Sequence, residues 1–367
     1  MSTHAILSPS SAARWSRCPG SVSANLNIPD KPNIYAKEGI QAHEIAEACL
    51  RNNIYPSEYD NNNITSEMAE NITTYVDYVR AISGRQEYEV QVNFENWVLG
   101  GYGTVDALVI DENEATIHTI DLKFGKGVQI FAFDNPQLKL YALGAYSEVE
   151  MLHPISRIVL HIVQPRLDHI DTWESTPEEL LAWGEWIRER AELALSPDAP
   201  RIPGDVQCKW CKTQGTCEAL YNHTTEVLGV DFDDLAEAST GKMTEEQLGR
   251  VLDNAHLIRG WIQAVEDHVY DILAGGQDFS GYKLVEGRSN RKWADEQQAE
   301  EVLINEIGDD AWEKKLLSPA KAEKALGKKK GQVKDLIIKP AGKPTLVPES
   351  DKRPSLKDQT ISQFETV

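Results

Sequence analysis

Two neighbouring predicted strands each carry a carboxylate within an otherwise apolar run. Asp106 lies in the middle of the first strand, and Asp121 and Lys123 lie at the end of the second. Because side chains alternate faces along a strand, Asp121 and Lys123 share one face. If the hairpin pairs Ile110 with Ile117, Asp106 falls opposite Asp121. We therefore expect two carboxylates and a lysine to converge on one patch.

Carboxylates that face each other in a sheet repel unless a cation neutralises them. Mg²⁺ or Mn²⁺ held by two aspartates keeps open positions for water and a phosphate oxygen, as metal-assisted phosphodiester hydrolysis requires. The lysine would orient the attacking water or stabilise charge on the phosphoryl oxygens. A surface hairpin with an Asp–Lys ion pair would explain the same residues, and the pattern alone does not choose between the two interpretations.

Two further groups flank this pair of strands. Gln137 and Tyr141 are four residues apart, on one face of a helix whose start is predicted at Asn135-Pro136. His43 lies on an earlier predicted helix. A single helical histidine is more often a surface residue than a ligand. His43 is therefore a stronger candidate ligand only when it is considered together with Asp106, Asp121 and Lys123.

These residues, taken in order, resemble the motif set of the RecB-like branch of PD-(D/E)xK nucleases. The motifs are Gly39-x-x-x-His43, Gly103-x-x-Asp106, Asp121-Leu122-Lys123 and Gln137-x-x-x-Tyr141. The resemblance covers residues 1–221 and implies an α/β fold. It implies a PD-(D/E)xK restriction-endonuclease-like core, in which helices flank a mixed sheet.

The resemblance also implies a role for each residue. The metal ligands would be His43, Asp106, Asp121 and the carbonyl of Leu122. Lys123 would be the catalytic lysine, and Gln137 and Tyr141 would lie beside the active site and position the DNA strand. The second acid is Asp121 rather than the commoner glutamate, which the motif allows.

The chain has five cysteines, and three of them form a C-x2-C-x5-C cluster, Cys208, Cys211 and Cys217. A fourth ligand is needed, and Cys18, at a predicted helix end, is a better candidate than Cys49, which lies in an apolar helix run. Zinc and iron-sulfur clusters both favour four cysteines, and spacing does not separate them. The pattern is similar to that of RecB-like iron-sulfur nucleases, including AddB-type and CRISPR-associated exonucleases. This similarity implies a 4Fe-4S cluster that staples the domain outside its catalytic centre.

Composition limits the classes of partner. The 367 residues carry a formal net charge of −21, which argues against a protein coated with nucleic acid but allows a narrow basic groove. The sequence has no apolar run of the roughly 18 residues that a membrane span needs, and its start lacks a secretory pattern. We therefore expect a cytoplasmic protein, in the host cytoplasm if phage-encoded, with no membrane partner.

We expect three regions: the nuclease domain over 1–221, a mainly helical and basic region over 222–339, and a disordered tail over 340–367. Residues 321–343 contain eight lysines and two acids. Candidate DNA contacts are Lys126, Arg288, Arg291, Lys292 and Trp293. A solvated lysine-rich face is an equally good explanation of the basic region, and Trp293 could equally be a core residue.

The chain as a whole resembles a phage-encoded family formerly catalogued only as a domain of unknown function. The segment Asp121-Leu122-Lys123-Phe124-Gly125-Lys126-Gly127 is part of that resemblance. It implies an Mg²⁺- or Mn²⁺-dependent DNA exonuclease, acting at DNA ends or on single strands in recombination or replication. The implied partner is a phage single-strand-binding or annealing protein. The alternatives are a non-cleaving DNA-binding or scaffold protein, a structure-specific endonuclease, and a zinc-stabilised regulatory module. Polarity, strand preference and oligomeric state stay open.

Overall fold

A computed structural model describes residues 5–29, 34–59, 64–227 and 245–285, together with 298, 302 and 303. The chain divides into two compact units, Met1–Gly281 and Tyr282–Val367. The predicted contacts at Arg288, Arg291, Lys292 and Trp293, most of the basic region and the tail lie outside the described residues. All the other candidate residues lie in the first unit.

The described part contains one mixed sheet. Its strands are β1 (Arg85–Asn93), β2 (Tyr102–Asp111), β3 (Thr116–Leu122), β4 (Arg157–Gln164) and β5 (His169–Ser175). Their spatial order is β1-β2-β3-β4-β5. Only β3 and β4 run parallel, and the other neighbours are antiparallel.

Helices precede, interrupt and follow the sheet. The longer ones are α3 (Ile34–Asn52), α4 (Ser66–Arg80), α5 (Pro136–Val149), α6 (Pro177–Leu195), α8 (Glu218–Val227), α9 (Glu245–Asp253) and α10 (Ala255–Ala274). The short ones are α1 (Ala12–Trp15), α2 (Ser21–Asn25) and α7 (Asp205–Cys208). The α/β prediction is thus confirmed as a five-stranded mixed sheet flanked by helices.

Two apolar clusters place the helices on opposite faces of the sheet. One contains Leu138 of α5 and Ile187 of α6, and the other contains Ile45 of α3 and Ile72 of α4. Cys49 is fully buried in the second cluster, as predicted. Helix α5 is the crossover that a parallel β3–β4 pair requires.

The register of the central hairpin is the one that the sequence predicts. Ile110 pairs with Ile117, and the pairing continues to Ala107 and Ile120, one step from the two aspartates. Helix α5 begins as expected, because Asn135 Oδ1 accepts from the backbone amides of Gln137 at 3.1 Å and Leu138 at 3.3 Å.

The first strand lies four residues earlier than the apolar pattern predicts. The pattern favours Glu89 to Trp97, whereas β1 spans Arg85–Asn93. The buried side chains of Phe94 and Val98 belong to a compact turn instead. Gly101 closes that turn, where a Cβ would lie 2.6 Å from the Phe94 ring. The buried apolar residues of the turn therefore resemble the pattern of a strand. The polar residues at the start of β1, which is an edge strand, do not show that pattern.

The helix predicted over 244–273 is two helices, α9 and α10, with the break at Asn254. Helix α10 packs closely on the turn Gln214–Thr216, where a Cβ on Gly215 would lie 2.3 Å from the Ala264 carbonyl oxygen. Residues 245–281 therefore belong to the first compact unit. No helix in the described ranges is long and apolar enough to cross a membrane.

Candidate functional site

The two predicted aspartates lie at the same end of the central hairpin. Asp106 Oδ2 accepts a hydrogen bond from the backbone amide of Leu122 at 2.7 Å. This bond ties the carboxylate of β2 to the chain immediately after Asp121. The side chain of Asp121 is 4% exposed and that of Asp106 is 13% exposed, so both are largely withdrawn from water.

A chain of polar contacts runs from Asp121 to helix α5. Lys123 Nζ lies 2.8 Å from Asp121 Oδ2. Gln137 donates from Nε2 to Asp121 Oδ1 at 2.8 Å and accepts from Lys123 Nζ at 3.1 Å. The same amide group contacts the Tyr141 hydroxyl at 3.1 Å. The helix therefore sets the positions of both reactive side chains of β3.

His43 of α3 reaches the opposite side of Asp106. Its Nδ1 lies 3.2 Å from Asp106 Oδ1 and 3.9 Å from Glu89 Oε1. One ligand atom from each of these three side chains lies within 4.8 Å of the others. Helix α3 is distant from these strands along the sequence. In the structure its His43 nevertheless completes the site.

Glu89 is the member of this group that sequence reasoning missed. Its neighbours Tyr88 and Val90 pair with Ala107 and Val105, so Glu89 lies opposite Asp106. Its φ of 45° is in the left-handed region, which is unfavourable for a glutamate within a strand and is typical of functional sites. The register of β1 against β2 was the available signal, and the shifted prediction of β1 concealed it.

The acids and bases of the site perturb one another. Burial lowers the pKa of His43, but the charges of Asp106, Asp121 and Glu89 outweigh it and raise that pKa to about 9. Burial and the Asp106 charge raise the pKa of Glu89 to about 7. Burial also raises the pKa of Asp121, against the opposing charge of Lys123. The site thus concentrates negative charge that solvent does not screen.

The pKa of Lys123 is raised in spite of burial, because Asp121 and Asp106 stabilise its ammonium form. Lys123 is therefore a cationic hydrogen-bond donor and not a base. Burial and the Asp121 charge raise the pKa of Tyr141 well above its usual range, so its hydroxyl keeps its proton.

The donor set fits a hard divalent cation. Carboxylates and one imidazole are ligands that Mg²⁺ and Mn²⁺ accept. Asp121 Oδ2 is buried without a well-aligned hydrogen bond from the described residues, although Lys123 Nζ lies in ion-pair contact with it. Leu122 lines the same recess as His43, Glu89 and Asp106. These groups leave ligand positions that a cation would satisfy.

The site opens into a cleft of about 1040 Å³. Gly39, Glu44, Glu47 and Thr104 line it together with three of the site residues. Arg51 forms an ion pair with Glu47 at 2.6 Å, which partly balances the negative charge of Glu47. The wall of the cleft next to α3 is acidic, because it carries Glu44 and Glu47.

Lys126, a predicted DNA contact, is half exposed in the loop after β3. Its Nζ lies 2.5 Å from Glu67, which also lies 3.4 Å from Arg166. The charge of Lys126 is thus partly balanced within the protein. Binding of a phosphate there would compete with Glu67.

The four predicted cluster cysteines line one cavity of about 330 Å³, away from the carboxylates. Cys18 and Cys208 are buried, and Cys211 and Cys217 are half-buried. The structure therefore brings the first cysteine beside three that follow it by about two hundred residues. Cys49 is not part of the lining.

Several donors point at the sulfurs. Backbone amides of Ile202 and Gly204 donate to Cys18 Sγ at 3.2 Å and to Cys208 Sγ at 3.4 Å. Asn25 donates from Nδ2 to Cys211 Sγ at 3.4 Å. Burial raises the pKa of the Cys208 thiol to about 11, and burial also raises the pKa of the Cys18 thiol.

Comparison with known proteins identifies a family, and a solved structure is among the similar proteins. The family model described as "Protein of unknown function (DUF2800)" matches residues 4–354. A solved structure titled "Crystal structure of SSO0001" has 17% sequence identity and a TM-score of 0.29. The match covers 56% of this chain and 84% of that one, and a TM-score this low carries no argument.

Proposed function

The chain belongs to the DUF2800 family, and we propose from its site that it is a metal-dependent deoxyribonuclease with a PD-(D/E)xK core. The observation that carries the proposal is the contact set of Asp121, in which Lys123 Nζ lies 2.8 Å from one oxygen and Gln137 donates to the other. Asp106 lies opposite, and His43 contacts it. In a surface ion pair the carboxylate would not be buried and held by a side chain of helix α5, as Asp121 is.

In this proposal the metal would be held by Asp106, Asp121 and His43, with the Leu122 carbonyl as a further ligand. A bound Mg²⁺ or Mn²⁺ supplies Lewis acidity, which polarises a phosphoryl oxygen and lowers the pKa of water. Its charge would also relieve the repulsion among the carboxylates.

Three residues of the protein have the remaining roles in this proposal. Lys123, held as an ammonium by Asp121 and Gln137, donates to the attacking water or to a phosphoryl oxygen and so stabilises developing negative charge. Gln137 fixes the geometry of Asp121 and Lys123 together. Tyr141, which stays protonated, offers its hydroxyl to the strand beside the scissile bond.

We further propose that the four cysteines hold a 4Fe-4S cluster with a structural role. The cysteines share one cavity, and the amide donors to sulfur suit metal-bound thiolates of either kind. The choice of a 4Fe-4S cluster over zinc rests on the resemblance to RecB-like iron-sulfur nucleases.

The test of the enzyme proposal is cleavage of end-labelled linear DNA beside a closed circular control. The protein is purified without oxygen, and Mg²⁺ or Mn²⁺ is then added. We expect metal-dependent loss of linear DNA alone, and at least a 100-fold loss of rate in Asp121→Asn and Lys123→Met. Lys37→Met, an exposed lysine at the start of α3, is the matched control and should keep the full rate.

Each other result selects a rival. Cutting of the circle would favour a structure-specific endonuclease. Binding without degradation would favour the scaffold, and a colourless protein that contains zinc would favour the regulatory module. Full activity in Lys123→Met would overturn the proposed mechanism.

A further inference from the structure

The two segments that supply the cluster cysteines are basic in an acidic chain. Residues 9–28 carry Arg14 and Arg17 and no acid, and residues 206–217 carry Lys209 and Lys212 between Asp205 and Glu218. The whole chain has a net charge of −21. The structure brings the segments together around the cysteine cavity. Four cations therefore lie on the two segments that meet at this cavity.

An exposed indole lies among these cations. Trp210 is 71% exposed, although tryptophan is usually buried. Arg14 donates from Nη1 to the Trp210 carbonyl oxygen at 3.2 Å, which fixes the loop that presents the ring. Lys209 Nζ lies 5.8 Å from the centroid of the ring. We call Arg14, Arg17, Lys209 and Trp210 the Trp210 patch.

The cations of the Trp210 patch are available to a ligand. Within the described part of the chain, Arg14, Arg17 and Lys209 form no ion pair. Arg17 donates only to the Ala13 carbonyl oxygen at 3.2 Å, and it and Lys209 are exposed. This contrasts with Lys126, whose charge faces Glu67.

The patch is connected to the candidate active site by a short stretch of chain. A Cβ on Gly103 would lie 2.6 Å from the Pro9 ring and 2.8 Å from the Tyr141 ring, so Pro9 packs beside the site. The 3-10 turn Pro9–Ser11 then runs into α1. With a rise of about 1.5–2.0 Å per helical residue, Arg17 lies about 12–16 Å from Pro9 along the chain. A few nucleotides span that distance.

We propose that the Trp210 patch binds an unpaired strand of DNA that leads to the active site. Phosphates would contact Arg17 and Lys209, and a base would stack on the indole of Trp210. An exposed ring requires an unstacked base, which favours a single strand over a duplex. The inference rests on the proposed nuclease function, because it gives that enzyme its substrate-binding surface.

The competing explanation is that the cations only balance the charge of a cluster with four thiolates. In that case their loss would lower iron content but would not change DNA binding at equal iron content. Iron per chain is therefore measured in every variant.

The experiment measures binding separately from cleavage. The full chain, purified without oxygen, is titrated in EDTA against a fluorescein-labelled oligothymidine of about 20 nucleotides, and anisotropy reports Kd. We expect Trp210→Ala to raise Kd about 10-fold, and Trp210→Phe to keep Kd within about 3-fold because it retains a stacking surface. Trp186→Ala removes a 43%-exposed indole from α6 and should leave Kd unchanged.

The salt dependence tests the cations. Each phosphate contact on a single strand contributes about 0.7 to the slope of log Kd against log salt. We expect Arg17→Ala with Lys209→Ala to reduce the slope by about 1.4. A purely structural defect would change Kd without changing the slope.

The proposal is overturned if Trp210→Ala binds normally, if only iron content changes, or if a duplex of equal length binds as tightly and weakens equally. The two proposals fail separately. A wild-type protein that binds the oligonucleotide through Trp210 but never cleaves DNA contradicts the nuclease alone. Cleavage with normal binding in Trp210→Ala contradicts the patch alone.

Discussion

Gln137 donates a hydrogen bond from Nε2 to Asp121 Oδ1 at 2.8 Å and so ties helix α5 to the end of strand β3. Its Oε1 accepts from Lys123 Nζ at 3.1 Å. One amide thus orients both the carboxylate of Asp121 and the ammonium of Lys123. Its two ends match their partners, because the acid can only accept and the ammonium can only donate.

The first prediction concerns that amide. Gln137→Leu keeps the bulk of the side chain but removes its hydrogen bonds to Asp121, Lys123 and Tyr141, so we expect kcat to fall about 10- to 100-fold with KM nearly unchanged. Steady-state cleavage of labelled DNA measures the effect. Gln91→Leu, on an exposed position of β1, is the control. An equal loss in both variants would mean that Gln137 has no special role.

The second prediction concerns Glu89. Glu89→Gln removes a carboxylate that lies beside His43 and opposite Asp106, and we expect Mn²⁺ to bind at least about 10-fold more weakly. The melting temperature of the metal-free protein should rise, because one of several like charges is gone. Calorimetric titration and thermal unfolding measure the two effects. Glu87→Gln, next along β1 and paired with Arg85, should change neither.

The third prediction concerns the cysteines. Cys18→Ala removes one ligand of the proposed cluster, so we expect loss of the visible absorption near ~400 nm and lower iron per chain. The melting temperature should also fall, because the proposed cluster would link the segment around Cys18 to the segment that carries Cys208, Cys211 and Cys217. Cys49→Ala, which lies in the apolar core, should keep its iron and lose only about 1 kcal/mol of stability. Equal iron in both variants would exclude Cys18 as a ligand.

The fourth prediction concerns two buried histidines. Burial lowers the pKa of His161 to about 3 and that of His118 to about 4. His161 Nδ1 contacts the Tyr78 hydroxyl at 2.8 Å, and its Nε2 contacts His118 at 3.0 Å. The neutral rings therefore fit the folded state, whereas the unfolded chain binds protons below about pH 6.5.

The free energy of unfolding should consequently be fully present above pH 6.5 and fall as the pH drops towards 4. For His161 alone the loss between pH 7 and pH 5 is about 2 kcal/mol. Urea unfolding across this range measures it. We expect His161→Gln to flatten the profile and His256→Gln, an exposed histidine of α10, to leave it unchanged. A wild-type profile that is flat from pH 7 to pH 5 would refute the prediction.

Much of the site could be predicted because its signals are local. The alternation of side chains and the register of one short hairpin were enough to bring Asp106 opposite Asp121. Asn135 before Pro136 predicts the start of α5, and a spacing of four residues then puts Gln137 and Tyr141 on one face. The spacing of Cys208, Cys211 and Cys217, and the position of Cys18 at a predicted helix end, likewise predicted which cysteines line one cavity.

The sequence by itself therefore determined the mixed α/β architecture, the two strand carboxylates and the choice of Cys18 over Cys49. Only the tertiary structure decided that Glu89 joins His43 at the site, because that requires the pairing of β1 and a left-handed backbone angle. Only the tertiary structure brought Arg14 beside Trp210, across nearly two hundred residues of chain. Periodicity reports on neighbours along one element, whereas these sites depend on how separate elements pack, which no local pattern encodes.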